Sequence, residues 1–259
     1  MNPIVKTGLI GAFSILLADL IGTLASRARI GKALDDEPEY RVSGPLVSVI
    51  VPALEEQNYL PLLLDSIKHQ TYQPIEVIIV DSSPPVAKQA TEKVAAAYGA
   101  KTVDVPKLGV SIARNKGAEA ATGDILLFCD ADCIMAQDFT ELLVEGLIQG
   151  GTLAHGVDCI YDDFPIALMW MPWQLVKPTD YTSGRGVAMY QEDFWAVGGY
   201  DEAHDPMKGY REDLDLGRRI LARYGPDSVV LMRNALVGTS ARRERVYGFG
   251  KLWAGRGVR

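Results

Sequence analysis

Apolar residues occur along this chain in short runs, separated by stretches in which they recur with helical spacing. Consecutive apolar and β-branched residues predict buried strands, and apolar residues three and four positions apart predict helices. The predicted strands cover residues 47–51, 76–80, 102–105 and 125–129, and the predicted helices cover residues 59–69, 86–98 and 111–121. This alternation predicts an α/β domain with a mostly parallel central sheet and helices on both faces. Ligands bind beyond the carboxyl ends of the strands in such sheets, so the residues that follow each strand are the candidates for chemistry.

The chain begins with an apolar segment in which Asp19 is the only ionisable residue between positions 8 and 24. A helix over residues 7–26 would be about 30 Å long, which matches the hydrocarbon core of a bilayer. More basic residues follow this segment than precede it, so the positive-inside rule predicts that the rest of the chain is cytoplasmic. A cleaved signal peptide and an amphipathic helix lying in the membrane interface are the alternatives.

The charge distribution suggests the same division of the chain. Residues 1–34, expected to form a membrane-associated helix, carry a net charge of +3, residues 35–232 carry −16 and residues 233–259 carry +6. We expect a charged linker at 35–45, the catalytic domain at 46–232 and a basic C-terminal segment from 233 onward. The acidic domain argues against nucleic acid as a partner. The basic ends suit an anionic membrane surface, with two solvated tails as the alternative.

Length and cysteine content narrow the class of protein further. A chain of 259 residues, 48% of them hydrophobic, suits one globular domain with a short appendage. The three cysteines are odd in number and include no Cys-x-x-Cys pair, which favours a reducing, cytosol-facing compartment. The histidines lack the spacing of zinc ligands.

Acidic residues follow three of the four predicted strands. Glu55 comes after the first strand, Asp81 after the second, and Asp130 and Asp132 after the fourth. Residues two apart in an extended chain point to the same face, so Asp130 and Asp132 can bind one ion. Carboxylate oxygens suit Mg²⁺ or Mn²⁺, with substrate phosphate completing the shell. A solvated loop after a core strand is the alternative for this short motif.

Further motifs follow in order between residues 46 and 225. They are 47–52 (VSVIVP) with Glu55 and Glu56, 64–67 (LDSI), 70–72 (QTY), 76–81 (EVIIVD), 113–117 (ARNKG), 121–124 (ATGD), 128–132 (FCDAD), 198–202 (GGYDE) and Glu212-Asp213. In this order they resemble the family 2 glycosyltransferases, which have the GT-A fold. The resemblance implies a nucleotide-sugar donor, a divalent metal and a site made of matching residues.

The roles that this resemblance implies fall on residues on both sides of the Asp-x-Asp motif. For the donor, they are Pro52, Ala53 and Glu55 in the nucleotide pocket, Asp81 on the nucleobase, with uracil expected, and Arg114 near the nucleotide. Asp130 is expected near the ribose and the metal, and Asp132 on the metal. Asp213 is expected to be the catalytic base, with Glu212 beside it. Two departures concern the donor: Ser82 stands where the family usually has a second acid, and the stretch 237–243 lacks the histidine that many members use as a metal ligand.

The expected reaction is an inverting transfer of one sugar to the hydroxyl group of a membrane-near or lipid-linked acceptor. Such a transfer needs one carboxylate to take the acceptor proton and a cation to compensate the departing phosphate. A QxxRW motif is absent after Asp213, which favours addition of a single sugar. A sugar-nucleotidyltransferase and a non-catalytic, membrane-anchored nucleotide-sugar-binding protein are the alternatives. A Rossmann dehydrogenase is disfavoured because no GxGxxG follows the first strand.

Candidates for the acceptor side lie in the less regular second half. Residues 160–176 include Trp170 and Trp173, and this density of tryptophan suits a membrane interface or an acceptor wall. A core helix broken by a proline is the alternative. Arg185 could meet an acceptor phosphate, and the resemblance places Tyr200 and Asp201 in the acceptor loop.

Overall fold

The computed structural model describes residues 3–106, 109–180, 182–203 and 211–247, with side-chain surroundings from residue 18 onward apart from 173, 175, 176 and 247. The helices in this part are α1 (Pro3–Asp35), α2 (Leu60–Lys68), α3 (Pro85–Ala97), α4 (Val110–Ala120), α5 (Phe139–Ile148), α6 (Phe164–Val176), α7 (Gln191–Ala196), α8 (Glu212–Tyr224) and α9 (Arg242–Tyr247). The strands are β1 (Val42–Ala53), β2 (Tyr72–Asp81), β3 (Lys101–Asp104), β4 (Ile125–Phe128), β5 (Cys133–Met135), β6 (Leu153–Ile160), β7 (Val187–Tyr190) and β8 (Val229–Thr239).

All strands belong to one eight-stranded sheet with the order β3-β2-β1-β4-β7-β6-β8-β5. The four strands predicted in the first half are confirmed and lie parallel to one another. The expectation of a mostly parallel sheet is wrong for the second half. There β7 runs antiparallel to β4 and β6, and β5 runs antiparallel to β8. Helices also separate the later strands from β5 to β8, so strand–helix alternation does not distinguish the antiparallel pairs from the parallel pair of β6 and β8.

Two hydrophobic layers cover the sheet. Val49, Val51 and Leu127 point to the layer that contains α2 and α5. Ile50 and Phe128, one residue out of phase, point to the layer that contains α4 and α8. Because both faces are covered, β1 and β4 read as continuous apolar runs in the sequence.

The expected boundary at residue 232 falls inside β8. This strand pairs in parallel with β6 and continues to Thr239, where it pairs with Cys133 of β5. The sheet therefore extends seven residues into the stretch expected to form a basic C-terminal segment. The rest of the expected division of the chain stays a prediction.

The C-terminal half of α1 packs on the domain. Ile30 and Ala33 are buried against Ile134 and Leu236. Arg29 pairs with both carboxylate oxygens of Asp138 at 2.5 Å. Within the described ranges, no helix combines the length and the hydropathy needed to cross a bilayer.

Candidate active site

The carboxyl ends of β1 and β2 align at one edge of the sheet. Ala53 pairs with Asp81, and the Ser82 amide donates to the Ala53 carbonyl over 3.0 Å. Just beyond β1, Glu55 has a φ of 58°, which is unusual for a residue other than glycine. Its amide donates to Ser83 Oγ over 2.7 Å and holds this turn beside β2. Pro52, Ala53 and Glu55, the residues expected to line the nucleotide pocket, thus stand next to Asp81.

Asp81 carries a carboxylate oxygen that lacks a partner. Its Oδ1 accepts a hydrogen bond from the Ser83 amide over 2.8 Å. Its Oδ2 is buried and has no hydrogen-bond partner in the described part of the chain. Burying a polar atom without a partner is costly, so this oxygen is poised to accept a ligand N–H.

Arg114 on α4 joins the two halves of the site. Its side chain is 2% exposed; Nη2 donates to Asp130 Oδ1 over 2.9 Å and Nη1 donates to Glu212 Oε1 over 2.8 Å. Burial alone would lower the pKa of Arg114, but Tyr200, Asp130 and Glu212 together raise it above its ordinary value. The guanidinium is therefore a fixed cation between the Asp-x-Asp loop and α8.

Glu212 and Asp213 lie in the first turn of α8, where the helix dipole favours acids. Asp213 Oδ2 accepts a hydrogen bond from the Gly184 amide over 3.1 Å. Burial raises the pKa of Glu212, although Arg114 opposes that shift. Glu212 thus forms an ion pair with the Arg114 guanidinium. The carboxylate of Asp213 instead accepts hydrogen bonds from backbone amides.

Asp132 and Glu56 share one arginine that follows β8. Arg242 Nε lies 2.8 Å from Asp132 Oδ2, and Arg242 Nη1 donates to Glu56 Oε2 over 2.8 Å. The guanidinium also lies over the Tyr59 ring, 4.7 Å from its centroid. Burial raises the pKa of Asp132, and Asp130 raises it further, while Arg242 opposes the shift.

The carboxylates of Asp130 and Asp132 suit a hard divalent ion by their chemistry. The described ranges contain no group of three acidic, histidine or cysteine side chains that could hold a metal by themselves. These residues therefore fit Mg²⁺ or Mn²⁺ only if donor phosphate oxygens complete the shell.

Arg185, expected on the acceptor side, belongs to a buried ionic cluster that the sequence analysis missed. Its Nη1 donates to Asp158 Oδ2 over 2.6 Å, and Lys177 Nζ lies 3.5 Å from Asp158 Oδ1. Burial lowers the pKa of Lys177. The available signal was Asp158 itself, a charged residue in the mostly apolar sequence of strand β6.

Tyr200 is also placed differently from the expected acceptor loop. Its side chain is 1% exposed and packs edge-on against Phe128, with ring centroids 5.1 Å apart. Its ring lies 5.1 Å from the Arg114 guanidinium carbon. Tyr200 therefore supports Arg114 from within the core. Asp201 is exposed and lines an open cavity of about 460 Å³.

The tryptophan-rich segment 160–176 forms the end of β6 and helix α6. Trp170 lies under Arg185, with 5.4 Å between the guanidinium carbon and the ring centroid. The side chain of Trp173 lies outside the described residues. Pro172 stands inside α6 without ending it.

A half-parallel sheet with carboxylates at its carboxyl edge, faced by an acidic first turn of a later helix, defines a GT-A-type protein. Comparison with known families agrees with this class. The chain belongs to glycosyl transferase family 2, whose model matches residues 48–215, more than half of its length.

Curated relatives of the chain are glycosyltransferases. GlyA of Streptococcus pneumoniae is 32% identical over 108 residues, which make up 40% of this chain and 15% of GlyA. A glucosyl-dolichyl phosphate glucuronosyltransferase of Haloferax volcanii is 28% identical over 180 residues, 60% of this chain and 56% of that protein. The chain thus spans little more than half, or less, of the length of these relatives.

Solved structures share the fold. The mannosyltransferase PcManGT of Pyrobaculum calidifontis, in complex with GDP-Man and Mn²⁺, has a TM-score of 0.60 at 22% identity, covering 88% of this chain and 67% of that one. GalNAc-T7, solved with UDP, GalNAc and Mn²⁺, has a TM-score of 0.58 at 17% identity, covering 76% and 44%. At these identities the likeness establishes the GT-A-like fold.

Proposed function

We propose that this protein is an inverting, metal-dependent glycosyltransferase that moves one sugar from a nucleotide-sugar to a membrane-near or lipid-linked acceptor hydroxyl. The observation that carries the proposal is the bridge through Arg114. This residue ties Asp130, on the donor side, to Glu212, the neighbour of Asp213. A base at Asp213 therefore belongs to the same rigid network as the donor site, as positioning for in-line attack requires.

Asp213 acts as the general base in this proposal. Its carboxylate takes the proton of the acceptor hydroxyl while the acceptor oxygen forms a bond to the anomeric carbon. The bond from that carbon to the diphosphate oxygen breaks, and the nucleoside diphosphate leaves with the electron pair. Glu212 is less suited to this role because its carboxylate is held by Arg114 over 2.8 Å.

Asp132 and Asp130 would hold Mg²⁺ or Mn²⁺ together with the donor diphosphate. A bound divalent ion neutralises the charge that develops on the leaving diphosphate. Arg114 keeps Asp130 in a single orientation, since the guanidinium donates to Asp130 Oδ1 over 2.9 Å. The presence of Mn²⁺ in the PcManGT and GalNAc-T7 structures supports this part of the proposal.

UDP is the proposed nucleotide, and Asp81 is its proposed contact. Uracil carries an N–H that the unpartnered Oδ2 of Asp81 can accept. Asp81→Ala should weaken UDP binding by about tenfold or more, as expected when a hydrogen bond to a charged group is lost. Asp104→Ala, at the exposed end of neighbouring β3, is the matched control. Calorimetry with UDP and GDP tests the choice of base, and tighter binding of GDP would reassign it.

The reaction itself is tested by donor turnover. Purified protein is incubated with a panel of nucleotide-sugars and Mn²⁺, and release of nucleoside diphosphate is followed with Asp213→Asn. Asp215→Asn is the control, because Asp215 lies on the same helix but pairs with Arg219 over 2.8 Å. We expect the rate to fall by about 10²-fold or more in Asp213→Asn alone, within the range for a lost general base.

Two outcomes would favour other functions. Pyrophosphate release from a nucleoside triphosphate and a sugar phosphate would identify a nucleotidyltransferase. Nucleotide-sugar binding without turnover, equal in wild type and Asp213→Asn, would identify a binding protein. Equal turnover in wild type and Asp213→Asn would remove Asp213 from the mechanism.

We propose that the catalytic domain works on the cytoplasmic side of a membrane. The support is the charge pattern, in which ends of +3 and +6 flank a domain of −16. Basic segments next to an apolar helix are drawn to anionic lipid surfaces.

A further inference from the structure

Helices α1 and α6 lie side by side and run in opposite directions. Gly22 of α1 faces Met171 of α6, so that an added Cβ would meet Met171 Sδ at 3.7 Å. Further along, the Arg27 guanidinium carbon lies 5.9 Å from the centroid of the Phe164 ring, and Arg27 Nη1 donates to the Ile160 carbonyl over 3.3 Å. The two helices therefore present one continuous outer surface, which we call the α1–α6 face.

Residues 18–26 of α1, which precede the buried apolar residues Ile30 and Ala33, are turned inside out relative to a helix on a water-soluble domain. Their inward face carries Asp19, 8% exposed, and Thr23, 1% exposed. Asp19 Oδ1 and Thr23 Oγ1 are buried and have no hydrogen-bond partner among the described residues. Their outward face carries Leu20, Ile21 and Leu24, which are 36%, 58% and 52% exposed. A helix covered by water has the opposite arrangement.

Helix α6 shows part of this arrangement, beside the buried apolar residues Ala167 and Met171. Gln174 is buried and both polar atoms of its side chain lack partners within the part of the chain that the structure describes, and Lys177 at the C-cap is buried too. Phe164 and Met169 face outward and are exposed. Five of the twelve large hydrophobic side chains exposed in the described ranges therefore lie on this one face. A cluster of that kind marks an interaction surface.

Basic residues border the face at one end. Arg27 lies beside Phe164, and Arg245 bonds to Asp162 over 2.9 Å next to the first turn of α6, with its side chain 42% exposed. Arg243 and Lys32 are exposed. An apolar surface with cations at its edge complements hydrocarbon next to anionic headgroups.

We propose that the α1–α6 face inserts into the interfacial region of an anionic bilayer, with both helices as a single monotopic contact. Polar groups turned inward and apolar groups turned outward are the arrangement expected where lipid replaces water. The inference deepens the proposed function, because it brings the acceptor side to the membrane through α6 and the contact between Trp170 and Arg185. Its test requires no turnover, so it can fail without the proposed chemistry failing.

The test is co-sedimentation of the full chain with vesicles of phosphatidylglycerol and phosphatidylcholine in equal parts. The face variant combines Leu20→Gln, Ile21→Gln, Leu24→Gln and Met169→Gln, in which glutamine keeps helix propensity at exposed positions. The matched control combines Val86→Gln and Ile148→Gln, two large side chains exposed at 86% and 69% elsewhere on the domain. We expect the face variant to lose about tenfold or more in vesicle affinity and the control to bind like wild type.

A second measurement covers the case in which the face variant unfolds. Leu24→Cys and Val86→Cys, each labelled with an environment-sensitive fluorophore, are mixed with the same vesicles. A blue shift at position 24 but not at 86 supports insertion. Equal vesicle binding by face variant and control, no shift at position 24, or a wild type that self-associates through this face without binding vesicles would each overturn the proposal.

Discussion

Arg242 Nε lies 2.8 Å from Oδ2 of Asp132, so the acid of the Asp-x-Asp motif expected to bind metal already has a cation beside it. The same guanidinium holds Glu56, which is buried just after β1. An arginine therefore stands beside the motif in the stretch where the sequence lacks a histidine. Because Arg242 pairs with Asp132, removing Arg242 should change how strongly nucleotide binding depends on the metal, and this dependence can be measured.

Arg242→Ala should make nucleotide binding depend more strongly on metal. Without the guanidinium, Asp132 is free to bind the ion, and the donor diphosphate loses a nearby positive charge. We expect the ratio of UDP affinities in Mn²⁺ and in EDTA to rise by about tenfold, a common size for coupling between ligands. Calorimetry measures both affinities. Arg243→Ala removes the same charge from an exposed neighbour, and an identical ratio in both variants would contradict the prediction.

Arg114→Ala should destabilise the fold and abolish turnover. It leaves Asp130 and Glu212 without their shared cation, and removing one partner of a buried ion pair costs about 3–5 kcal/mol. Arg114→Lys should recover part of the stability, because one ammonium group cannot reproduce two fixed bonds. Urea unfolding gives the free energy of unfolding. Lys116→Ala on the same helix breaks only a surface pair with Glu119 and should change little.

Gly184→Ala should disturb the site through sterics alone. A Cβ at position 184 would overlap the Nη2 atom of Arg114. We expect a loss of about 1–3 kcal/mol, typical of overpacking, together with reduced UDP affinity. A Cβ at position 31 on α1 meets no described atom within 4 Å, so Gly31→Ala should stabilise the helix instead. Thermal melting should therefore show shifts of opposite sign in the two variants, and calorimetry should show reduced UDP affinity in Gly184→Ala alone.

His155 should make the fold less stable in mild acid. Its burial and the nearby Lys177 cation lower the pKa of His155 to about 3 from an ordinary 6.5. Between these values the unfolded chain binds a proton that the folded chain does not, so stability falls by up to about 1.4 kcal/mol per pH unit as pH drops. Above pH 6.5 this contribution is constant. Chemical unfolding between pH 7.5 and 5.5 should show that the free energy of unfolding falls less steeply with decreasing pH in His155→Gln than in the wild type.

The sequence predicted the first half of the sheet well because β1, the end of β2 and β4 contain runs of buried residues that face both layers. An apolar, β-branched segment such as Val47–Val51 strongly favours a buried strand. The acidic residues that follow such strands lie together at the carboxyl edge of the sheet. Asp81, Asp130 and Asp132 therefore fall where the strand pattern places them. The pairing of β5 with β8 joins residues about a hundred positions apart, and no local pattern encodes it.

Side-chain partners were harder to anticipate than strand positions. The sequence indicates that Arg114 and Glu212 belong to one site, but not that a single guanidinium bridges Glu212 and Asp130. The family resemblance placed Tyr200 in the acceptor loop, with a plain turn after Gly198 and Gly199 as the alternative, and its ring turns into the core beside Arg114. Which partner each of these side chains contacts depends on the space left by the packed sheet and helices. Tertiary packing sets that space.

The last strand of the sheet has a consequence for how the protein is made. Cys133 directly follows the Asp-x-Asp motif and pairs with Thr239 of β8, and Arg242 comes three residues later. A ribosome that has finished residues 1–200 has released every donor-side carboxylate but neither the strand nor the arginine that holds Asp132 in place. Contacts between such distant segments form late. The growing chain therefore completes the surroundings of Asp132 only after β8 and Arg242 have been made.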